Sequence, residues 1–213
     1  MKLPPTARLY GILDLGYVEP SSAMEVADQM LDGGVQILQL RAKKFAPPEI
    51  CALAKDLAPL CQKFGVPLIL NDHPELVRES RADGVHVGQD DLPVEAVRKM
   101  VGEDAIVGLS THSVEQASAA SMLPADYIGF GPLFATPTKP DYSAIGTSGI
   151  FEAHRLVNLP IFCIGGIKRE NLPEVMDAGA SRVVIVSGIL QAPDIVSYCR
   201  SCLDLLTAID ADV

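Results

Sequence analysis

The chain alternates between short apolar runs and longer segments in which apolar positions recur with helical spacing. The apolar runs are rich in β-branched residues and are apolar at nearly every position. This pattern is typical of strands that are buried on both faces of a parallel sheet. Eight strands are predicted, at 7–14, 35–41, 67–72, 84–88, 106–112, 127–134, 160–167 and 182–189.

The intervening segments are predicted to be helices. The clearest covers 47–65, because Pro47 and Pro48 suit a first helical turn and Gly65 suits a helix end. The others are predicted at 21–34, 74–82, 92–102, 113–123, 147–157, 169–179 and 193–209.

Strand–helix alternation repeated eight times predicts an α/β protein with a (β/α)8 TIM barrel fold, as a single domain over residues 1–213. The alternative is an open, doubly wound sheet. That fold usually carries a G-x-G-x-x-G turn after its first strand, and "GILDLGYVEP" does not supply one.

Composition narrows the classes of function. With 213 residues, 48% of them hydrophobic, the chain can bury one substantial core. Its net charge of -10 argues against broad binding to nucleic acid or to an anionic membrane, so a bound anion needs a local cluster of donors. We see no apolar run of membrane-spanning length and no signal-peptide core, and we expect a cytoplasmic protein.

The five cysteines show no spacing typical of a disulfide framework. Cys199 and Cys202 form a C-x-x-C pair, which in other settings marks a redox or zinc site. Because "IVSYCRSCLDLL" has helical apolar spacing, we interpret them as two small residues on a helix. The four histidines show no zinc spacing, and His86 is expected to lie in the core or to support another residue.

Candidate chemistry lies where the predicted strands end, because these ends meet at one mouth of a barrel. Arg41 and Lys43 follow the second strand, and Lys139 follows the sixth within "ATPTKP". Three cations at one mouth of an acidic protein suit a substrate that carries phosphate. The alternative is that the lysines are simply solvated.

Carboxylates follow the third and fourth predicted strands, at Asp72 and at either Asp90 or Asp91. Magnesium is often bound by one or two carboxylates together with substrate phosphates and water. The arrangement therefore suggests a diphosphate bound with Mg²⁺. Alternatively, an aspartate here caps the following helix, as Asp91 could do before "LPVEAV".

Glycine-containing turns follow the last two predicted strands, as "IGGI" at 164–167 and "VSGI" at 186–189. In barrels these two turns often direct main-chain N–H groups at a phosphate. We call this candidate site the phosphate cradle. The glycines could also serve only to permit the turns.

Seven motifs occur in order along the chain: "QLRAKK", "LILND", "ADGVHVGQDD", "VGLSTH", "GFGPLFATPTK", "IGGI" and "VVIVSGI". Together they resemble the thiamine phosphate synthase family over nearly the whole chain. The resemblance implies an enzyme, a transferase of thiamine biosynthesis that joins a pyrimidine methyl diphosphate to a thiazole phosphate and releases diphosphate. It also implies dissociative displacement, in which diphosphate leaves before the thiazole nitrogen attacks.

The resemblance implies a role for each matching position. Asp72 and Asp91 are expected to bind Mg²⁺, and Ser110 to contact the pyrimidine substrate. Lys139, Arg41, Lys43 and Ser110 are the expected catalytic residues. The implied diphosphate-side contacts are Gln39, Leu40, Arg41, Ala42, Lys43, Asn71 and Lys139. The implied thiazole-phosphate contacts are Thr136, Pro137, Thr138, Gly166, Val186 and Ser187.

Two other functions remain open. A thiazole tautomerase would share the barrel and the phosphate cradle, but it would have no diphosphate to hold. The second alternative is a non-catalytic barrel that binds thiamine precursors. It is favoured by Ala42 and His73, which stand where the family usually has an acid and an arginine. Small-molecule substrates are the expected partners, and a homo-oligomer is compatible with the sequence.

Overall fold

Eight parallel strands close into a barrel in a computed structural model that describes residues 1–136 and 143–208. Each strand pairs with the next in the chain, and β8 pairs with β1. The predicted (β/α)8 fold is therefore confirmed. The strands are β1 Leu9–Asp14, β2 Ile37–Arg41, β3 Leu68–Asn71, β4 Gly84–Val87, β5 Ile106–Thr111, β6 Tyr127–Phe130, β7 Ile161–Cys163 and β8 Val183–Ile185.

Helices alternate with the strands as predicted, although several are shorter. Short 3-10 helices at Pro20–Ser22 and Pro74–Leu76 precede the helices that follow β1 and β3. The α-helices are α1 Ala23–Asp32, α2 Pro47–Phe64, α3 Val77–Ser80, α4 Val94–Val101, α5 Val114–Ala120, α6 Ile150–Leu156, α7 Leu172–Asp177, α8 Ser187–Leu190 and α9 Ile195–Ala208.

The core has two layers, because alternate residues of a strand face opposite sides of the sheet. The larger layer lies between barrel and helices and includes Leu38 and Leu40 of β2. The smaller layer fills the barrel interior and contains three aromatic rings, those of Tyr10, Tyr127 and Phe162. These rings meet edge to face with centroids 5.5–5.9 Å apart, an arrangement that favours aromatic packing.

The last three strands end earlier than predicted. β6 ends before Pro132, which has no N–H to donate to a ladder. β7 ends before Gly165 and Gly166, whose φ angles of 99° and 65° lie in the left-handed region. The predicted strand 182–189 is wrong beyond Ile185, because residues 187–190 form α8.

The C-x-x-C pair lies on α9, as interpreted from the sequence. Both thiols are buried, and burial raises the pKa of Cys199 to about 12 and that of Cys202 to about 11. The two cysteines therefore stay protonated and pack as small apolar groups. Within the two described ranges, no helix combines the length and the apolar character needed to cross a membrane.

Candidate active site

The mouth at the carboxyl ends of the strands holds a cavity to which half of the predicted site residues contribute. It extends from β2 across the barrel to the turns that follow β7 and β8. The predicted residues that line it are Gln39, Arg41, Asn71, Ser110, Thr136, Gly166, Val186 and Ser187.

Other predicted residues lie elsewhere. The side chains of Leu40 and Ala42 are buried in the layer between barrel and helices, so any contact of theirs with substrate can rest only on main-chain groups. Lys43 lines a cleft beside the cavity together with Asp14 and Arg41. Pro137, Thr138 and Lys139 lie outside the described residues.

Arg41 is held by a buried carboxylate that the sequence reasoning did not single out. Asp14 at the end of β1 is paired in register with Arg41 at the end of β2. Arg41 Nη1 donates to Asp14 Oδ2 at 2.5 Å, and the main-chain N–H of Gly16 donates to Asp14 Oδ1 at 2.8 Å. The Asp14 side chain is only 3% exposed. An acid at the exit of an otherwise apolar strand was the signal that could have identified it.

The two predicted magnesium ligands have different surroundings. Asp72 follows β3 with a left-handed φ of 65°, and its carboxylate forms an ion pair with Lys43. Asp91 Oδ2 accepts from the N–H of Gly88 at 2.6 Å. Helix α4 begins at Val94 and makes no side-chain cap hydrogen bond, so Asp91 closes a turn and does not cap that helix.

The carboxylates of Asp72 and Asp91 are the type of oxygen ligand that a hard cation prefers. In the described parts of the chain, no three or more histidine, cysteine, aspartate or glutamate side chains gather as a metal cluster. Two carboxylates at the exits of neighbouring strands are nevertheless the protein contribution that Mg²⁺ commonly takes when substrate phosphates and water complete its shell. The residues present therefore fit Mg²⁺ bound together with a diphosphate.

A chain of five polar side chains crosses the barrel interior, and all five line the cavity. Gln39 Nε2 donates to the Tyr10 hydroxyl at 2.7 Å, and the hydroxyls of Tyr10 and Tyr127 are 2.9 Å apart. His86 lies 3.0 Å from the Tyr127 hydroxyl through Nδ1 and 2.9 Å from Ser110 Oγ through Nε2. We call these five residues the interior chain. His86 thus supports Ser110, as expected from the sequence. Tyr10 and Tyr127 were not identified from the sequence, because they lie within apolar runs.

The turns after β6 and β7 are joined through their main chains. The N–H groups of Leu133 and Phe134 donate to the carbonyls of Ile164 and Gly165, at 2.8 and 3.0 Å. The approach is so close that a Cβ on Gly165 would lie 2.3 Å from Pro132 Cα. Gly165 therefore allows the turns after β6 and β7 to pack together, in addition to permitting the turn in which it lies.

The segment after the undescribed residues returns to the same place. The N–H groups of Ile145 and Gly146 donate to the carbonyls of Pro132 and Leu133, at 2.8 and 3.1 Å. Both ends of the connection between β6 and α6 are thus fixed beside the cavity. Thr136, at the outgoing end, lines that cavity.

Known proteins are similar to this chain over most of its length. Residues 9–189 match the family model described as thiamine monophosphate synthase. The chain is 41% identical to a thiamine-phosphate synthase of Halalkalibacterium halodurans, over 91% of this chain and 92% of the relative. It is 45% identical to one of Acidothermus cellulolyticus, over 78% of this chain and 80% of the relative.

A solved structure has the same architecture. Thiamine phosphate pyrophosphorylase from Pyrococcus furiosus superposes with a TM-score of 0.87 at 27% identity, covering 96% of this chain and 97% of that protein. The match therefore extends over nearly the whole of both chains. The chain therefore belongs to the thiamine monophosphate synthase family.

Proposed function

We propose that the protein is a thiamine-phosphate synthase. It would join 4-amino-2-methyl-5-(diphosphomethyl)pyrimidine to 4-methyl-5-(2-phosphoethyl)thiazole, or to the carboxylate form of that thiazole. Diphosphate would be released in both cases, together with CO2 when the carboxylate form reacts. The observation that carries the proposal is the cavity itself, where the predicted residues for both substrates line one space. Full-length similarity to curated synthases supports it.

The diphosphate end of the site would lie near β2 and β3. Arg41, oriented by Asp14, offers a planar group that can bind two phosphate oxygens at once. Lys43 is half exposed, so it can exchange Asp72 for a phosphate. Asp72 and Asp91 would hold Mg²⁺, and Mg²⁺ would neutralise charge on the departing diphosphate.

The thiazole end would lie at the phosphate cradle. Gly166, Val186 and Ser187 line the cavity there, and Thr136 adds a hydroxyl from the sixth turn. Main-chain N–H groups at such turns are suited to a phosphate dianion. This placement would bring the thiazole nitrogen toward the pyrimidine methylene carbon.

The chemistry needs no protein nucleophile. When diphosphate leaves, the electron-rich aminopyrimidine stabilises the methylene cation, and the thiazole nitrogen then attacks it. The protein's contribution would be charge stabilisation, positioning and exclusion of water. We assign Lys139 to the leaving diphosphate from its place in the sequence motif, and Ser110 to the pyrimidine ring.

The test is to mix the purified protein with both substrates and Mg²⁺ and to measure diphosphate and thiamine phosphate. Equal amounts of the two products are expected. Isomerisation of the thiazole carboxylate without diphosphate release would instead indicate a tautomerase. Tight binding of both substrates without turnover would indicate a non-catalytic barrel.

A further inference from the structure

The interior chain connects two residues at opposite sides of the cavity, Gln39 of β2 and Ser110 of β5. Gln39 is 2% exposed and the rings of Tyr10 and Tyr127 are fully enclosed, so little water can compete for these hydrogen bonds. The geometry points to a directional hydrogen-bond relay through Tyr10, Tyr127 and His86 that fixes Ser110 as a donor toward the pyrimidine ring.

The direction follows from the first link. The amide nitrogen of Gln39 can only donate, so the Tyr10 oxygen accepts. The single proton of Tyr10 is then available for its other partner, the Tyr127 oxygen, 2.9 Å away. Tyr127 in turn directs its own proton to His86 Nδ1.

The third link fixes the tautomer of His86. A neutral imidazole that accepts at Nδ1 carries its proton on Nε2. That proton is donated to Ser110 Oγ, at 2.9 Å. The hydroxyl proton of Ser110 is therefore directed away from His86, and Ser110 lines the cavity where the pyrimidine would bind.

The two tyrosines of the relay are neutral. Burial raises the pKa of both tyrosine hydroxyls far above the ordinary value of a phenol, so Tyr10 and Tyr127 keep the protons that the relay requires. No charge has to move through the barrel. Tyr10, Tyr127 and His86 are thus positioning residues and do not touch substrate through these bonds.

The relay deepens the proposed function and rests on it for the identity of the ligand. An aminopyrimidine presents ring nitrogens that accept hydrogen bonds, and a Ser110 hydroxyl that is fixed as a donor matches such an acceptor. Because His86 Nε2 already holds a proton, it cannot take the proton of Ser110. The pair therefore cannot act as a serine nucleophile and its base, which agrees with a reaction that needs neither.

The direct test is the tautomer of His86, measured by ¹⁵N NMR on histidine-labelled protein without substrates. His86→Gln assigns the signals, and a proton on Nε2 is the expected result. His112 provides an internal reference with its proton on Nδ1. That nitrogen lies 2.6 Å from the carbonyl oxygen of Gly131 and must donate to it. A proton on Nδ1 of His86 would overturn the relay, because Tyr127 would then accept from His86, and His86 Nε2 would accept from Ser110.

A variant pair tests the link to binding. Tyr127→Phe removes the donor to His86, so we expect a mixture of His86 tautomers and a KM for the pyrimidine diphosphate raised about tenfold, the effect of one lost hydrogen bond. Phe162→Leu is the matched control, because Phe162 packs against both tyrosine rings without joining the hydrogen bonds. It should lower stability and leave the tautomer unchanged. A pure Nε2–H tautomer with unchanged KM in Tyr127→Phe would refute the relay.

The synthase function and the hydrogen-bond relay can be disproved independently of each other. The tautomer is read on the unmodified protein and without turnover. An inactive protein with a proton on His86 Nε2 would disprove the synthase and keep the relay. An active synthase with a proton on Nδ1 would disprove only the relay.

Discussion

Two ion pairs at the mouth of the barrel, Arg41–Asp14 and Lys43–Asp72, differ in burial. The carboxylate of Asp14 is 3% exposed and receives hydrogen bonds at both oxygens. Lys43, by contrast, has a side chain that is 52% exposed in its pair with Asp72. The buried pair is therefore a fixed part of the site, whereas an exposed pair contributes little stability and can be exchanged for substrate.

We predict that Asp14→Asn will impair both folding and binding. It removes the buried negative charge that pairs with the mostly buried guanidinium of Arg41, which costs about 3 kcal/mol of unfolding free energy. The KM for the pyrimidine diphosphate should rise, because Arg41 loses its orientation. Urea unfolding and steady-state kinetics measure the two effects.

Asp126→Asn is the control for Asp14→Asn. It removes the carboxylate from another buried arginine, Arg98, at the opposite end of the barrel. It should lower stability and leave KM unchanged. If both variants raise KM equally, Asp14 has no specific role at the site.

A second prediction separates the charge of Asp91 from its hydrogen bond. Asp91→Asn keeps an oxygen that can accept from the Gly88 N–H, whereas Asp91→Ala removes it. Both variants should lose most activity and need more Mg²⁺, because each lacks the carboxylate. Only Asp91→Ala should also lose about 1 kcal/mol of stability. Full activity of Asp91→Asn at low Mg²⁺ would contradict the metal assignment.

At the scale of elements, the turns after β6 and β7 form one unit. Their main chains are hydrogen-bonded to each other, and Ile145 and Gly146 return to the same turn. The sequence motifs placed a phosphate cradle at Gly166 and Ser187, but they did not indicate that Gly166 also contacts the sixth turn. A Cβ at Gly166 would lie 2.7 Å from Phe134 Cβ and 3.0 Å from the carbonyl oxygen of Ala135.

We therefore predict that Gly166→Ala will disturb the thiazole end of the site through the sixth turn. The KM for thiazole phosphate should rise more than that for the pyrimidine diphosphate. Gly65→Ala is the matched control, since Gly65 has a similar left-handed φ of 70° and open space at its Cβ position. It should cost about 1 kcal/mol of stability from backbone strain alone. Equal stability losses with unchanged KM values would show that Gly166 is only a turn residue.

The connection between β6 and α6 carries a further prediction. Lys139→Ala should lower kcat about a hundredfold, the effect of removing one preorganised charge donor, and change stability by less than about 0.5 kcal/mol. Lys44→Ala removes one positive charge from the cleft beside the cavity, and its effect on kcat should be much smaller. Normal turnover of Lys139→Ala would remove Lys139 from the mechanism.

Sequence patterns predicted the order of strands and helices well and their ends less well. The apolar run that contains β8 continues into α8. It was predicted as one strand because a short apolar run does not distinguish a strand from a buried helix. Side-chain contacts were also only partly predictable from the sequence. Arg41 and Ser110 could be found from motifs, but the hydrogen bonds of Tyr10 and Tyr127 depend on residues 117 positions apart meeting inside the barrel.

At the scale of the whole molecule, the two ends of the barrel have different roles. The cavity and the candidate substrate contacts occupy the carboxyl ends of the strands. At the opposite end, polar side chains bind the main chain where strands begin. Gln36 accepts from the N–H groups of Arg8 and Leu9 at 2.7 and 3.2 Å, and Asp83 accepts from that of Leu68 at 3.0 Å. This separation allows stability and activity to be changed independently.

Gln36→Ala tests that separation. It removes the side-chain oxygen that accepts from two main-chain N–H groups and should lower the free energy of unfolding by about 2 kcal/mol. Both KM values and kcat should stay at those of the parent, because the candidate substrate contacts that the structure describes lie at the other end. Combined with Asp91→Asn, its effects should add, as expected for distant sites that share no partner. A double variant whose kcat falls well below that of Asp91→Asn alone, measured at a temperature where both are folded, would show that the two ends of the barrel are coupled.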